Sequence, residues 1–263
     1  MTMPKIKAVF TDIDHTLTDP VTHLIPESAK LAIKLARQNG IKVIAATGRN
    51  LTAPEDSPIA GMEFDGFVTV NGQLCYLPDG GMLRFAPFQR GWVDEAICLG
   101  NDHNFFASFH QRHQITINGY NEDVDKFYEL FNSPIPEILG NDHIDKDAIL
   151  SIVPFVGEEM DEFLRQALPD CQVVRWNPHS VDLAPKSGGK DIGLQIFLDH
   201  FGFQVEDCLA IGDGGNDVTM LKFAGIGVAV GGARPEAKAA ADFIAPDVAD
   251  DAIYKTFERF GII

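Results

Sequence analysis

Four groups of polar residues in this 263-residue chain have the types and the order that phosphorus chemistry needs. Asp12 and Asp14 are separated by one residue, Thr47-Gly48-Arg49 comes next, Lys190 closes Lys186-Ser187-Gly188-Gly189-Lys190, and Gly212-Asp213-Gly214-Gly215-Asn216-Asp217 comes last. Carboxylates brought from the first and last groups into one crevice would repel one another unless a cation lay among them. An all-oxygen set with waters is what Mg2+ prefers. Thr47 and Lys190 then suit the far side of a phosphate. The chemistry described is phosphoryl transfer.

Each group has an element that must carry it. Ile6-Lys7-Ala8-Val9-Phe10 is short, apolar and β-branched, which reads as a buried parallel strand with the two acids leaving its C-terminal end. In an open α/β sheet that edge is where ligands bind. Pro26-Glu27-Ser28 opens a helix with Leu31, Ala32, Leu35 and Ala36 at helical spacing, and Asn39-Gly40 closes it. The next strand, 41–46, ends in Thr47-Gly48-Arg49, so a right-handed β-α-β crossover sets Thr47 facing the two aspartates. Pro54 and Pro58 interrupt the stretch after it, and β-formers around Asn71-Gly72 predict a hairpin. Lys190 opens a helix running to His200, where free N–H groups and the helix dipole favour an anion. A strand at 208–211 delivers the last group, and helix 218–223, strand 226–230, a helix at 235–240 and a terminal helix from Asp250 complete the pattern.

Between 85 and 181 the texture changes. Strands at 105–109, 114–118, 148–154 and 171–176 are amphipathic, and helices are predicted near 91–99, 122–131 and 158–167. Strands with one polar face predict a mostly antiparallel sheet covered by helices on one side. The expectation is an α/β protein: a Rossmann-like parallel-sheet core formed by 1–84 and 182–263, interrupted by an inserted α+β cap over 85–181. Pro78-Asp79-Gly80-Gly81 reads as a turn or linker, and if it and Pro185–Gly189 are hinges, the cap should close over substrate.

Composition narrows the function classes. The balance of 21 Lys and Arg against 38 Asp and Glu gives a formal charge of −17, which disfavours nucleic acid and anionic membrane as partners. Cys75, Cys98, Cys171 and Cys208 form no Cys-x-x-Cys pair and read as reduced thiols of a cytosolic protein. With neither a signal peptide nor an apolar run of about 20 residues, the expected location is cytoplasmic.

On these four motifs the sequence resembles the haloacid dehalogenase superfamily, and within it the Cof-type phosphatases. Val70-Asn71-Gly72 and Gly225-Ile226-Gly227-Val228-Ala229-Val230 are supporting matches. The resemblance implies that Asp12 attacks phosphorus and carries an aspartyl-phosphate, and that Asp14 acts as general acid and then base. It implies Mg2+ held by Asp12, by the Asp14 main-chain carbonyl and by Asp213, with Asp217 in support. Thr47, the Gly48 N–H, Lys190 and Asn216 would hold the phosphoryl oxygens. The implied substrate is a small phosphorylated metabolite such as a sugar phosphate, with pyridoxal phosphate and flavin mononucleotide as further candidates. A phosphomutase of the same superfamily and a non-catalytic metabolite-binding protein are the rival readings.

Several residues carry a plainer reading as well. Lys190 could be a solvated helix-start residue, and Asp217 an N-cap for the helix after it. His15 stands where the family commonly has Gly, and since His tolerates positive φ better than most residues, it reads as a backbone substitution. His110 and His113, flanking Arg112, read as a polar strand end, with a zinc site the poorer alternative. Arg49 reads as a partner for a carboxylate away from the reacting centre.

Overall fold

A computed structural model describes residues 6–51, 57–130 and 133–263. The readings made for residues 1–5, for Pro54 and for the helix end at Phe131 lie outside the described residues. The chain divides into two compact units, one running to Phe85 and resuming at Gly189, the other Ala86–Gly188.

The first unit begins with β1 (Ala8–Thr11), α1 (Glu27–Gln38), β2 (Lys42–Ala46), β3 (Gly66–Thr69), β4 (Leu74–Tyr76) and β5 (Met82–Phe85). In the second unit come α2 (Arg90–His103), β6 (Ala107–His110), β7 (Ile115–Ile117), α3 (Glu122–Leu130), β8 (Glu137–Ile138), β9 (Ser151–Pro154), α4 (Asp161–Ala167), β10 (Cys171–Asn177) and β11 (Ser180–Pro185). The first unit then resumes with α5 (Lys190–Phe201), β12 (Cys208–Gly212), α6 (Val218–Phe223), β13 (Ile226–Ala229), α7 (Pro235–Ala240), β14 (Phe243–Ile244) and α8 (Ala252–Arg259).

The sheet of the first unit has the order β14-β13-β12-β1-β2-β3-β4-β5. Its strands are parallel from β14 through β3, and β4 and β5 add an antiparallel edge. β1 lies between β2 and β12 with all four residues buried, which explains its unbroken apolar sequence. α1 buries Ala29, Ala32, Ile33 and Ala36, whereas Leu31, expected on the apolar stripe, is exposed. α5 lies close against β3 because a Cβ at Gly66 would overlap the Phe197 ring, and one at Gly193 would overlap the Val68 side chain. That approach fixes where α5 begins, and so where Lys190 stands.

The sheet of the second unit has the order β10-β11-β9-β6-β7-β8 and is antiparallel except between β7 and β8. Its helices occupy both faces, contrary to the one-sided cover expected. Ile152 and Val153, neighbours in β9, belong to different apolar clusters, the first shared with Val93 and Ile97 of α2 and Leu164 of α4, the second with Val124, Phe127 and Tyr128 of α3.

Two boundaries differ from the sequence reading. Pro78–Gly81 is a turn and not a linker or hinge: Leu77 N–H donates to the Gly81 carbonyl and Gly80 N–H to the Leu77 carbonyl, which returns the chain as β5 beside β4. At the other end, β11 carries the chain to Pro185 in the second sheet, so residues 182–188 belong with that unit.

Candidate active site

The loops leaving β1 and β12, together with the first turn of α5, place four charged side chains in one cluster. Asp12, Asp213 and Asp217 offer carboxylate oxygens that all lie within 4.8 Å of one another. Lys190 Nζ donates to Asp12 Oδ1 at 2.6 Å and to Asp217 Oδ1 at 2.5 Å. Lys190 is 0 % exposed, which rules out the reading of a solvated helix-start residue.

Three carboxylates against one ammonium leave two negative charges in excess. Burial pushes the Asp12 carboxyl well above its ordinary pKa; Lys190 pulls it back, and Asp217 and Asp213 push it up again. Asp213 is raised by burial and then by Asp217, against the hydroxyl of Thr16, whose Oγ1 donates to Asp213 Oδ1 at 3.1 Å. Burial works against the charge on Lys190, but Asp12 and Asp217 more than offset it and raise its pKa. The residual charge and all-oxygen donor set fit a hard divalent cation such as Mg2+.

The three aspartates are not equivalent. Asp217 Oδ2 accepts from Asp213 N–H at 2.9 Å and Gly214 N–H at 2.8 Å, so with Lys190 on Oδ1 both its oxygens are engaged. It fixes the turn that carries Asp213, and its side chain does not cap α6. Gly212 must lack a side chain here, since a Cβ would come within 2.5 Å of Asp217 Cγ.

Asp14 stands outside this cluster. Its carboxylate accepts two hydrogen bonds from Arg49, Nε to Oδ2 and Nη2 to Oδ1, both 2.7 Å, the bidentate geometry a guanidinium favours. Arg49 is therefore a partner of Asp14, a pairing between two loops that neither motif signals alone.

His15 has φ 58°, and its N–H donates to Thr18 Oγ1 at 3.0 Å, while that hydroxyl donates to the Ile13 carbonyl. The backbone reading of His15 holds. Its side chain is 58 % exposed, with Nδ1 4.0 Å from Asp213 Oδ2.

Thr47 is buried and its Oγ1 accepts from Arg49 N–H at 3.0 Å, leaving the hydroxyl proton to donate elsewhere. Gly48 and Asn216 are both exposed and both meet Asn71. Asn216 Nδ2 donates to Asn71 Oδ1 at 3.0 Å, and a Cβ on Gly48 would lie 3.2 Å from the same oxygen. The Asn71-Gly72 hairpin is present, but it begins one residue early: Val70, Asn71 and Gly72 have φ of 49°, 50° and 87°. For a β-branched residue this costs on the order of 1–3 kcal/mol, and such strain concentrates at functional sites. His110 ends β6 with its ring nitrogen 2.9 Å from Ser108 Oγ, and Ser108 is wholly buried.

A family model for haloacid dehalogenase-like hydrolases matches residues 9–257, from the first residues of the acidic-turn strand into the last helix. The chain belongs to that family, in its Cof-type branch. Among haloacid dehalogenase-like hydrolases it is similar to the putative phosphatase YkrA of Bacillus subtilis, 29 % identical over 98 % of both chains. It is also 28 % identical, over 98 % of its own length, to a putative bifunctional phosphatase/peptidyl-prolyl cis-trans isomerase of Streptococcus pyogenes, of which it spans only 55 %. Among solved structures, BT1666 from Bacteroides thetaiotaomicron superposes with TM-score 0.91 at 28 % identity, covering 98 % of this chain and 96 % of that one. The subclass IIB sugar phosphatase BT4131 superposes with TM-score 0.83 at 31 % identity, covering 98 % and 100 %. As a haloacid dehalogenase-like hydrolase the chain carries all four of the motifs that frame its sequence. Among the described residues no helix is long and apolar enough to cross a membrane.

Proposed function

We propose that this chain is a Mg2+-dependent phosphatase that hydrolyses small phosphorylated metabolites, sugar phosphates foremost, through an aspartyl-phosphate. The observation that carries the reading is the buried excess of carboxylate around Lys190, one oxygen of Asp12 being held by the ammonium and the other left for chemistry. A sugar phosphatase among the structural neighbours and phosphatases among the relatives support the substrate class.

In the first step the free oxygen of Asp12 bonds to phosphorus while the bond from phosphorus to the leaving oxygen breaks, and Asp14 gives that oxygen its proton. In the second, Asp14 takes a proton from water as the water oxygen attacks phosphorus, releasing inorganic phosphate and regenerating Asp12. Arg49 holds both oxygens of Asp14, so the carboxyl must leave this fork before it can hand over a proton. Thr47 Oγ1, the Gly48 N–H, Asn216 and Lys190 hold the phosphoryl oxygens, donors fixed before the charge develops. When bound, Mg2+ would be held by Asp12, Asp213 and the main-chain oxygen of Asp14, braced by Asp217, and would offset charge on the phosphoryl group. These residues all belong to the first unit and suit the phosphoryl group, which every monoester shares. Choice of the remainder is assigned to the inserted cap, Ala86–Gly188. Three buried, free cysteines support a reducing compartment, the cytoplasm; burial pushes the thiols of Cys75 up to about 12 and of Cys171 and Cys208 to about 11.

The test is phosphate release over a panel of sugar, nucleotide and cofactor phosphates. Turnover should depend on Mg2+, vanish with EDTA and return when Mg2+ is restored. Full turnover in metal-free buffer would exclude the site as described, and accumulation of an isomeric sugar phosphate in place of free phosphate would identify a mutase.

A further inference from the structure

The turn Val70–Gly72 is a part of the first unit that the phosphatase reading leaves without a task, and it touches three of the loops that reading uses. Val70 N–H donates to the Arg49 carbonyl at 3.0 Å and Asn71 N–H to the Thr47 carbonyl at 3.1 Å, so its backbone is fastened along the whole Thr47-Gly48-Arg49 loop. Asn71 Oδ1 accepts from Asn216 Nδ2 at 3.0 Å, across 145 residues of sequence. A Cβ on Gly72 would lie 2.1 Å from the Gly189 carbonyl oxygen, so the turn also abuts the residue that precedes Lys190.

A type I′ hairpin turn needs positive φ at two residues, which Asn71 and Gly72 supply, and has no need of a third at Val70. Two consecutive non-glycine residues, Val70 and Asn71, adopt positive φ, and one is β-branched. Such a conformation persists only where the surroundings over-determine it, and here two main-chain hydrogen bonds and the contact with Gly189 do so. What the conformation achieves is the placement of one carboxamide. It lies against Gly48, with Oδ1 and Nδ2 of Asn71 3.2 and 3.3 Å from where a Gly48 Cβ would be, and it holds the amide of Asn216 by its oxygen.

We infer that Asn71 is a positioning residue of the anion site: its carboxamide sets the Asn216 amide and the Gly48 turn relative to each other, so that donors from two separate loops meet one phosphoryl group. The inference rests on the phosphatase reading of that site. An Asn216 released from Asn71 is an exposed side chain free to rotate, and a donor displaced by about 1 Å can cost about 10²-fold in rate. Asn suits position 71 because it tolerates the left-handed region while offering an acceptor.

The experiment is a double-mutant cycle on Asn71→Gly and Asn216→Ala, read both by kcat/KM and by calorimetric titration with inorganic phosphate in Mg2+ buffer. Glycine is used because it keeps the left-handed backbone, and thermal melts check that the variants fold. Asn71→Gly should weaken phosphate binding about 10-fold and lower kcat/KM by about 10–10²-fold. The double variant should be little worse than the worse single one. Asn71→Asp, which keeps shape and acceptor, should bind phosphate at least 10-fold more weakly because it sets a carboxylate beside the anion. Losses that multiply in the double variant, or Asn71→Gly and Asn71→Asp within twofold of the parent in phosphate binding, would overturn the inference while leaving the phosphatase reading intact. A parent protein that binds no phosphate and releases none would overturn both.

Discussion

Each unit surrounds a cation with acceptors, Lys190 wholly buried and Arg175 largely so, and the two clusters differ in how the charge is closed. In the second unit Arg175 Nε donates to both oxygens of Asp161, Nη1 to the carbonyls of Asn177 and Ser180, and Nη2 to the carbonyls of Val156 and Gly157 and again to Asp161. Arg165 lies 3.7 Å from the same Asp161 and 3.7 Å from Glu162, so two guanidinium groups meet two carboxylates, and neutral carbonyls take up the remaining N–H groups of Arg175. In the first unit Lys190 meets two carboxylates directly, with a third alongside. A buried ion is therefore no mark of a site by itself. The mark is a cluster whose charge does not close, because a protein pays for such an excess only where a ligand or metal completes it.

The sharpest way to break the comparison is to remove charge from the open cluster. Asp12→Asn takes away the oxygen proposed to attack phosphorus, and should abolish both turnover and the phosphoprotein trapped by acid quench. If that variant turned over like the parent, the mechanism would be lost. Asp14→Asn lies outside the cluster and should still show Mg2+-dependent phosphoprotein, yet turn over alkyl phosphates about 10²–10⁴-fold more slowly. An aryl phosphate, whose leaving group needs no proton, should suffer less; equal damage on both substrates would remove the acid–base assignment.

The closed cluster should answer with stability. Arg175→Met removes its hydrogen bonds to Asp161 and to four carbonyls, and should cost about 3 kcal/mol in urea unfolding, at the low end of the range for fully buried pairs because both side chains keep some exposure. A loss under about 1 kcal/mol would show that the network contributes little.

The smallest expected effect also belongs to the second unit. Burial lowers the His110 pKa to about 4 from the usual 6.5, so the folded state disfavours its protonated form. The unfolded chain binds that proton below about pH 6.5, and stability present above this pH should be lost as pH falls toward 4. Down to pH 5 the change amounts to about 2 kcal/mol, and His110→Gln should flatten that part of the profile. An unchanged profile in the variant would assign the slope elsewhere.

Much of the candidate site was legible because it hangs on strand ends. Buried parallel strands are apolar throughout, so the polar residues directly after them are conspicuous, and Asp12, Thr47 and Asp213 were found in this way. His15 was legible from one physical property, tolerance of positive φ. What escaped was set by pairing between distant segments. Arg49 with Asp14 and Asn71 with Asn216 join loops 35 and 145 residues apart, and no local pattern encodes such a choice. Val70 gave no warning of its left-handed backbone, since β-branching argues against it. β5 was passed over because Met82–Phe85 is nowhere fully buried and so lacks the alternation of a half-buried strand. The boundary fell at 189 because Val181, Leu183 and Pro185 alternate inward with Asp182 and Ala184, which continues the second sheet beyond the expected end at 181.

The position of β1 between β2 and β12 has a consequence for how the chain is made. One edge of β1 can be covered soon after synthesis, since Ala8 pairs with Lys42, but the other pairs Ala8 with Cys208. At roughly 5–20 residues per second, about 8–33 s of translation separate the two events. During that interval an apolar strand presents an open row of N–H and C=O groups, and Asp12 waits for its Lys190. Nascent chains of this length are therefore expected to be the form most dependent on holding chaperones and most prone to edge-to-edge association. A circular permutant opened at the β4–β5 turn would make β12 before β1, so that β1 would meet a waiting neighbour as it emerged.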